Sequence, residues 1–141
     1  MIQVSKLSWS DVERIIEAAT KKAIEIKVPT NIAVTDEAGI LLGFKRMDGA
    51  LVCCAQLAID KAYTSAALGV TTQEEWKAAQ PGGIDYGLNS LYGGRLTTIG
   101  GGVPIKMGSQ ILGGIGVSTG TVEEDIATAQ AGLSAFLGNG T

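Results

Sequence analysis

The chain has 141 residues, a formal net charge of −3 and 45% hydrophobic residues, values typical of one folded globular domain. Its 11 lysines and arginines are spread along the chain, so the clustered positive charge of nucleic-acid-binding proteins is absent, and no apolar stretch of the sequence reaches the roughly 20 residues of a membrane span. The sequence contains no histidine, which excludes zinc hydrolysis and Ser-His-Asp catalysis within one chain.

The first predicted elements are a helix and a β-hairpin. Ser8 and Asp11 form an S-x-x-D cap, and the apolar residues that follow recur at helical spacing. Two β-rich segments come next, at 31–35 and 40–47, separated by a short turn that ends at Gly39.

Two more helices are predicted in the middle of the chain. An alanine-rich helix over 52–68 ends before a glycine, and a shorter helix over 72–80 begins with a capping box of Thr72 and Glu75. Residues 81–95 are rich in glycine but carry two tyrosines and an arginine, which is typical of a loop that forms the wall of a pocket.

The two cysteines, Cys53 and Cys54, are adjacent and lack the spacing of a metal or redox motif. We interpret them as small buried apolar residues at the start of the second helix. Together with an amino-terminal segment that has no apolar signal core, they favour a reduced, cytoplasmic protein.

The last third of the chain predicts strands at 96–99, 103–107 and 110–117 and a helix over 122–137. Strands joined by tight turns pair antiparallel, and amphipathic helices cover the sheet. The sequence therefore predicts a single α+β domain over 1–141, built on a five-stranded antiparallel sheet flanked by helices.

The stretch GGIGVSTGTVEED, at 113–125, has the glycines of a phosphate-binding loop but not their pattern. It reads G-x-G-x-x-x-G rather than G-x-G-x-x-G, and no Lys-Ser or Lys-Thr pair follows it. Three carboxylates at 123–125 would repel a phosphate at the helix start. We therefore interpret Gly113 and Gly114 as positions where a helix or a neighbouring subunit lies close to the strand.

Four stretches together resemble the GlcG/HbpS family, also called the haem-degrading domain family. They are IAVTDEAGILLGFKRMDGA (32–50), IDKAYTSAA (59–67), GGGVPIKMGSQILGGIGVSTGTVEED (100–125) and AQAGLSAF (129–136). The stretch AAQPGGIDYGLNS is most similar to members associated with diol and glycerol utilisation and to the C-terminal domain of PduO-type corrinoid adenosyltransferases. The resemblance implies a profilin-like fold in dimers that assemble further.

The resemblance also implies a ligand. Some members bind haem or are linked to its breakdown, and a histidine is the implied iron ligand in those that bind it. Because this chain has no histidine, axial ligation would have to come from Tyr, Met, Cys or Lys. The first hypothesis is a cytoplasmic homo-oligomer that binds a small or tetrapyrrole-like ligand, with haem as the cofactor that the resemblance implies.

Two other functions stay open from the sequence. One is an enzyme acting on a small carbonyl or carboxylate metabolite, with Lys61 or Tyr63 as acid–base and Arg46 as carboxylate anchor. The other is an accessory subunit in corrinoid-dependent diol or glycerol metabolism. The structural alternatives for these side chains are an ion pair of Arg46 with Asp48 and a solvated Lys61.

The ligand pocket is predicted between the second helix, the 100–104 segment and the 84–95 loop. Guanidinium, ammonium and phenol groups suit an anionic or ring-shaped ligand, and glycine backbone allows close approach. The predicted ligand-binding residues are Arg46, Lys61, Tyr86, Arg95, Gly101, Gly102 and Pro104, and no metal ligands are predicted.

Overall fold

A four-stranded antiparallel sheet lies between helices on both of its faces. The structure, a computed structural model, describes residues 1–138. Its helices are α1 (Trp9–Glu25), α2 (Cys53–Leu68), α3 (Thr72–Ala78) and α4 (Val122–Gly138), and its strands are β1 (Asn31–Asp36), β2 (Leu41–Arg46), β3 (Gly102–Met107) and β4 (Gln110–Ser118). The predicted α+β class, with an antiparallel sheet flanked by helices, is confirmed.

The strand order is β2-β1-β4-β3, so β1 and β4 are central and every neighbouring pair is antiparallel. At one end of the sheet, Asn31 pairs with Arg46 on one side and with Ser118 on the other. We call this the Asn31 end of the sheet. Strand β3 also begins there, with Gly102 opposite Gly116.

The prediction of a fifth strand at 96–99 is wrong. Its backbone polar groups bond to side chains rather than to a neighbouring strand, which satisfies them without a ladder. The backbone N–H of Thr97 donates to Thr64 Oγ1 at 3.0 Å, and Thr72 Oγ1 donates to the backbone oxygen of Ile99 at 2.7 Å. The β-rich composition of this segment therefore reflects packing against α2 and α3.

The main core lies between the sheet and the pair α1 and α4. Apolar side chains from all of these elements are buried there, as expected for an amphipathic helix on a half-buried sheet. They are Val12, Ile15, Ala19, Ile32, Val34, Val103, Ile105, Leu112, Ile115, Val117 and Ala129.

Helix α2 packs directly on the opposite face of the sheet. A Cβ atom at Gly114 would lie 2.2 Å from Ala62 O, and one at Gly116 would lie 1.9 Å from Ala58 O. Only glycine fits such an approach, so the close helix contact predicted at Gly114 is confirmed. Gly113 differs, because a Cβ there would meet a backbone oxygen of β1 instead.

Side-chain capping boxes begin α1 and α3, with one difference from the sequence prediction. The Ser8–Asp11 capping box begins α1 as predicted. Helix α3 is capped one residue earlier than predicted, by Thr71 with Glu74, whose backbone N–H donates to Thr71 Oγ1 at 3.1 Å. The two overlapping Thr-x-x-Glu patterns cannot be separated by spacing alone.

The two cysteines are not the buried apolar pair that we predicted. Cys53 is exposed and Cys54 is half-buried. The reason is the position of α2: the Asn31 side-chain amide donates to Leu51 O at 3.0 Å, which places the start of the helix at the Asn31 end of the sheet. Ala58 is the first residue of α2 that is buried, so the first turn has no strand to pack on.

Candidate functional site

Lys61 of α2 is buried, with about 1% of its side chain exposed. Its ammonium donates one hydrogen bond to Val117 O at 2.8 Å and another to Asp125 Oδ2 at 3.0 Å. Asp125 belongs to α4, which packs on the other face of the sheet. The ion pair therefore connects the helices on the two faces.

The backbone of Gly101 covers this ion pair. Gly101 has a φ of +123°, and a Cβ there would lie 2.9 Å from Lys61 Nζ and 2.5 Å from Val117 O. Its own carbonyl accepts the backbone N–H of Val117 at 3.0 Å. A side chain at this position would displace the ammonium, so the glycine is required by the close approach.

Asp125 is a site residue that the sequence analysis did not single out. Its Oδ1 accepts the backbone N–H of Gly120 at 2.9 Å, so the carboxylate is held at both oxygens. In the sequence it is the third of three consecutive acids at a helix start, which suggested dipole complementation only. Helical spacing could have identified it. Ile126 and Ala129 belong to the apolar stripe of the same helix, and residue 125 lies next to that stripe.

Burial disfavours the charged forms of both Lys61 and Asp125. Desolvation lowers the pKa of Lys61, and the Asp125 carboxylate acts in the opposite direction. Desolvation likewise raises the pKa of Asp125, opposed by Lys61 and by backbone N–H groups. The site can hold a proton between two buried groups. Because the Lys61 side chain is almost completely buried, its role as base or anion ligand stays a prediction.

Tyr63 and Arg95 are brought together on the outer side of α2. The Arg95 guanidinium lies 3.9 Å from the centre of the Tyr63 ring, and its Nε donates to Asp60 Oδ1 at 3.3 Å. This stacking fixes the orientation of a guanidinium that is partly exposed. The arrangement can bind a carboxylate from solvent, whereas an acid–base role of Tyr63 stays a prediction.

The loop between α3 and β3 presents apolar and aromatic side chains to solvent. Ile84, Tyr86, Leu91 and Tyr92 are all exposed, the two tyrosines by 69% and 71%. We call these four residues the loop face. Exposed apolar side chains grouped on one segment are typical of a surface that binds a ligand or another chain.

A cleft of about 440 Å³ opens at Gly100, next to the covered ion pair. It has an aromatic wall, since Trp76 is half-exposed there. The lining residues are Gln73, Trp76, Thr98, Ile99, Gly100, Val122 and Glu123. Of the three segments predicted to form the pocket, only the 100–104 segment contributes to this cleft, and the other walls come from Thr98, Ile99 and the helices α3 and α4.

Three other predicted site residues, Gly102, Pro104 and Arg46, lie outside both this cleft and the loop face. Gly102 and Pro104 lie in β3, opposite Gly116 and Gly114 of β4. Arg46 is exposed at the Asn31 end of the sheet, and within residues 1–138 its side chain forms no ion pair, with Asp48 or any other carboxylate. Its guanidinium is therefore available to a ligand.

A second groove, not foreseen from the sequence, lies between α1 and the edge strand β2. It has a volume of about 630 Å³ and combines apolar and charged side chains. They are Trp9, Glu13, Ile16, Glu17, Thr20, Lys21, Ile24, Phe44 and Lys45.

Among residues 1–138, no three His, Cys, Asp or Glu side chains lie close enough together to hold a metal ion. None of the helices in this part of the chain is long and apolar enough to cross a membrane.

Comparison with protein families gives one match over most of the chain. A family model described as haem degrading protein HbpS-like matches residues 7–134. A 15.0 kDa protein from the dhaT–dhaS intergenic region of Citrobacter freundii is 36% identical over 134 residues, which cover 95% of this chain and 94% of that protein. The corrinoid adenosyltransferase PduO of the same organism is 36% identical over 130 residues, or 92% of this chain, but the match spans only 39% of PduO.

Solved structures agree with these matches. The protein ORFY of Klebsiella pneumoniae superposes with a TM-score of 0.94 at 36% identity, over 97% of this chain and 94% of that one. A structure described as a PduOC:heme complex superposes with a TM-score of 0.90 at 34% identity, over 93% of this chain and 95% of that one.

Proposed function

Because this chain belongs to the family of HbpS-like haem-degrading proteins, we propose that it binds haem or a closely related tetrapyrrole at the loop face. The observation that carries the proposal is the exposure of Tyr86 and Tyr92 on a segment that ends at Arg95. The relative described as a PduOC:heme complex supports the choice of ligand.

The loop face suits the flat, mostly apolar ring of a tetrapyrrole. Ile84 and Leu91 offer aliphatic surface, and the tyrosine rings offer stacking surface. Removing these side chains from water on binding contributes about 25 cal/mol per Å² of apolar area. Because these side chains are already exposed, binding does not require the protein to open a cavity.

The propionate groups of such a ligand need cationic partners. Arg95 is held by Tyr63 and Asp60 with its guanidinium partly exposed, and the exposed Arg46 has no carboxylate partner in residues 1–138. Guanidinium groups bind carboxylates with two parallel hydrogen bonds. Of the two, Arg95 is the one in the same chain segment as the loop face.

The iron ligand that this chain offers at the loop face is a tyrosine oxygen rather than a histidine nitrogen. No histidine exists in the sequence, whereas Tyr86 and Tyr92 present phenol groups to solvent, and a tyrosine phenolate is an established haem ligand in proteins. Bound haem would supply a redox-active iron centre, and the chain would supply the phenolate, apolar contacts and the paired arginine.

An exposed face covers only one side of a flat ring. The proposal therefore includes a homo-oligomer in which a second copy covers the other side, as the family resemblance implies. The Ala- and Gly-rich sequence and the exposed apolar loop face support such an assembly.

A second candidate function is an accessory role beside a corrinoid enzyme. The observation that favours it is the match to part of PduO together with the match to a dhaT–dhaS region protein. Co-purification of this chain with a corrinoid adenosyltransferase, lost when the loop face is changed to serine, is the expected result for this candidate.

A haemin titration of the purified protein tests the leading proposal. We expect a saturable, shifted Soret band, which Tyr86→Phe or Tyr92→Phe changes in position because the ligating phenolate is lost. Trp9→Phe is the control, since Trp9 is an exposed aromatic residue at the start of α1, outside the 81–95 loop, and this change should leave the band unchanged. Non-saturating adsorption that is equal in all variants would overturn the proposal.

A further inference from the structure

The first turn of α2 carries two thiols in contact with each other. The sulfur atoms of Cys53 and Cys54 lie 3.9 Å apart and are not joined by a disulfide. Cys53 is exposed and Cys54 is half-buried, so a solute can reach the pair from one side. The proposed haem function makes no use of these groups.

The start of α2 leaves the pair open to an incoming ion. The two residues before the helix, Leu51 and Val52, are exposed, and the N-cap Val52 makes no side-chain hydrogen bond to the first turn.

We propose that Cys53 and Cys54 form a two-thiolate site for a soft metal ion, of which Cu(I) is the physiological example. With a metal–sulfur distance near 2.3 Å, the observed sulfur separation of 3.9 Å corresponds to an S–metal–S angle of about 115°. This is close to the angle of a trigonal centre, whose third position is open to a small external thiol or water. No rearrangement of α2 is needed.

The number of donors selects the type of ion. Within residues 1–138 no third Cys, Asp or Glu lies with this pair in a metal-binding group, so a tetrahedral Zn²⁺ would have only two protein ligands. Soft thiolate ligands select Cu(I), which accepts two or three of them. On binding, each thiol gives up its proton and forms one Cu–S bond, so two protons are released for each ion, and affinity falls as the pH is lowered.

Competition with bicinchoninate, which holds Cu(I) as a coloured complex, measures the binding without oxygen. We expect the reduced wild-type chain to withdraw one Cu(I) per chain. Cys53→Ser and Cys54→Ser should each lower the affinity at least about 100-fold, because one thiolate alone cannot hold the ion against the competitor. Leu51→Ser, in the same exposed turn but without loss of a thiol, should bind as the wild type does.

A second measurement uses the wild-type chain alone, in case a cysteine variant does not fold. Phenylarsine oxide reacts with two neighbouring thiols, forming two As–S bonds and releasing its oxygen as water with the two thiol protons. We expect one such adduct per folded chain, and loss of Cu(I) binding after its formation. The proposal would be overturned by a single-cysteine variant that binds as the wild type does, by one copper per two chains, or by no withdrawal of copper.

Discussion

Lys61 Nζ and Asp125 Oδ2 lie 3.0 Å apart, and both side chains are almost completely buried. Because each group is the only oppositely charged partner of the other in the described ion pairs, removal of one leaves the other buried and unpaired. The pair thus joins α2 to α4 at a cost in desolvation that the hydrogen bonds offset.

The first prediction concerns the stability of this pair. Lys61→Met should lower the free energy of unfolding by about 3–5 kcal/mol, because the Asp125 carboxylate stays buried without its cation. Adding Asp125→Asn should recover most of the loss, since the amide oxygen can still accept the Gly120 N–H. Denaturant unfolding monitored by circular dichroism measures both effects. Lys6 is the control site, and Lys6→Met should leave the stability nearly unchanged because its ion pair with Glu37 is exposed.

The second prediction concerns the contact between α2 and the sheet. Gly116→Ala places a methyl group against Ala58 O and should destabilise the protein by at least about 1–3 kcal/mol. Gly138→Ala is a suitable control, because no atom of residues 1–138 lies within 4 Å of the added atom and the site is helical. Equal melting temperatures for the two variants would contradict the packing described for α2.

The third prediction concerns two neighbouring glutamates with opposite pKa shifts. Burial, followed by the Asp85 carboxylate, raises the pKa of Glu75, whereas the backbone N–H and hydroxyl of Thr71 lower the pKa of Glu74. A raised pKa in the folded state means that stability is present below the unfolded pKa and is lost as the pH rises through the folded value. A lowered pKa means that stability is present above the unfolded pKa and is lost as the pH falls.

Glu75→Gln should therefore raise the melting temperature near about pH 8 and change it little near about pH 3, where Glu75 is largely protonated in both states. At about pH 8, Glu74→Gln should instead lower the melting temperature, because the charged carboxylate that caps the helix is lost. Shifts of the same sign for both variants at the higher pH would be inconsistent with this assignment.

The fourth prediction separates ligand binding from stability at Arg95. Its contacts with Tyr63 and Asp60 are partly exposed, so Arg95→Ala should cost less than about 1 kcal/mol of folding free energy. If Arg95 binds a propionate, the same change should weaken haemin affinity by roughly 5- to 10-fold, the equivalent of about 1 kcal/mol. Arg14→Ala on α1 is the matched control and should leave the affinity unchanged, while a loss of affinity equal to that at Arg95 would argue against a specific contact.

Much of the fold could be predicted because local signals and packing agree. Capping residues, helical spacing and tight turns place all four helices and four of the five predicted strands. The error at 96–99 has a long-range cause: Thr64 and Thr72 supply its hydrogen-bond partners from α2 and α3, and no local pattern contains that information.

The candidate site could be predicted only in part for a similar reason. Lys61 lies against Gly101, but its partner Asp125 is 64 residues away in the chain, and no local spacing connects the two. The exposure of Cys53 likewise depends on where α2 starts relative to the end of β1, which the Asn31 contact with Leu51 sets. Positions of this kind follow from tertiary geometry, so residue type and spacing cannot reveal them.

The contact of α2 with the two glycines of β4 also has a consequence for motion. The α2 backbone rests on the β4 backbone with no side chain between them, so neither element can open without disrupting the centre of the sheet. In hydrogen–deuterium exchange, the amides of β1, β4 and the buried half of α2 should exchange only through global unfolding. The 81–95 loop should exchange rapidly. A surface that can adapt to a partner would then lie beside a rigid centre, formed by β1, β4 and α2, that does not open locally.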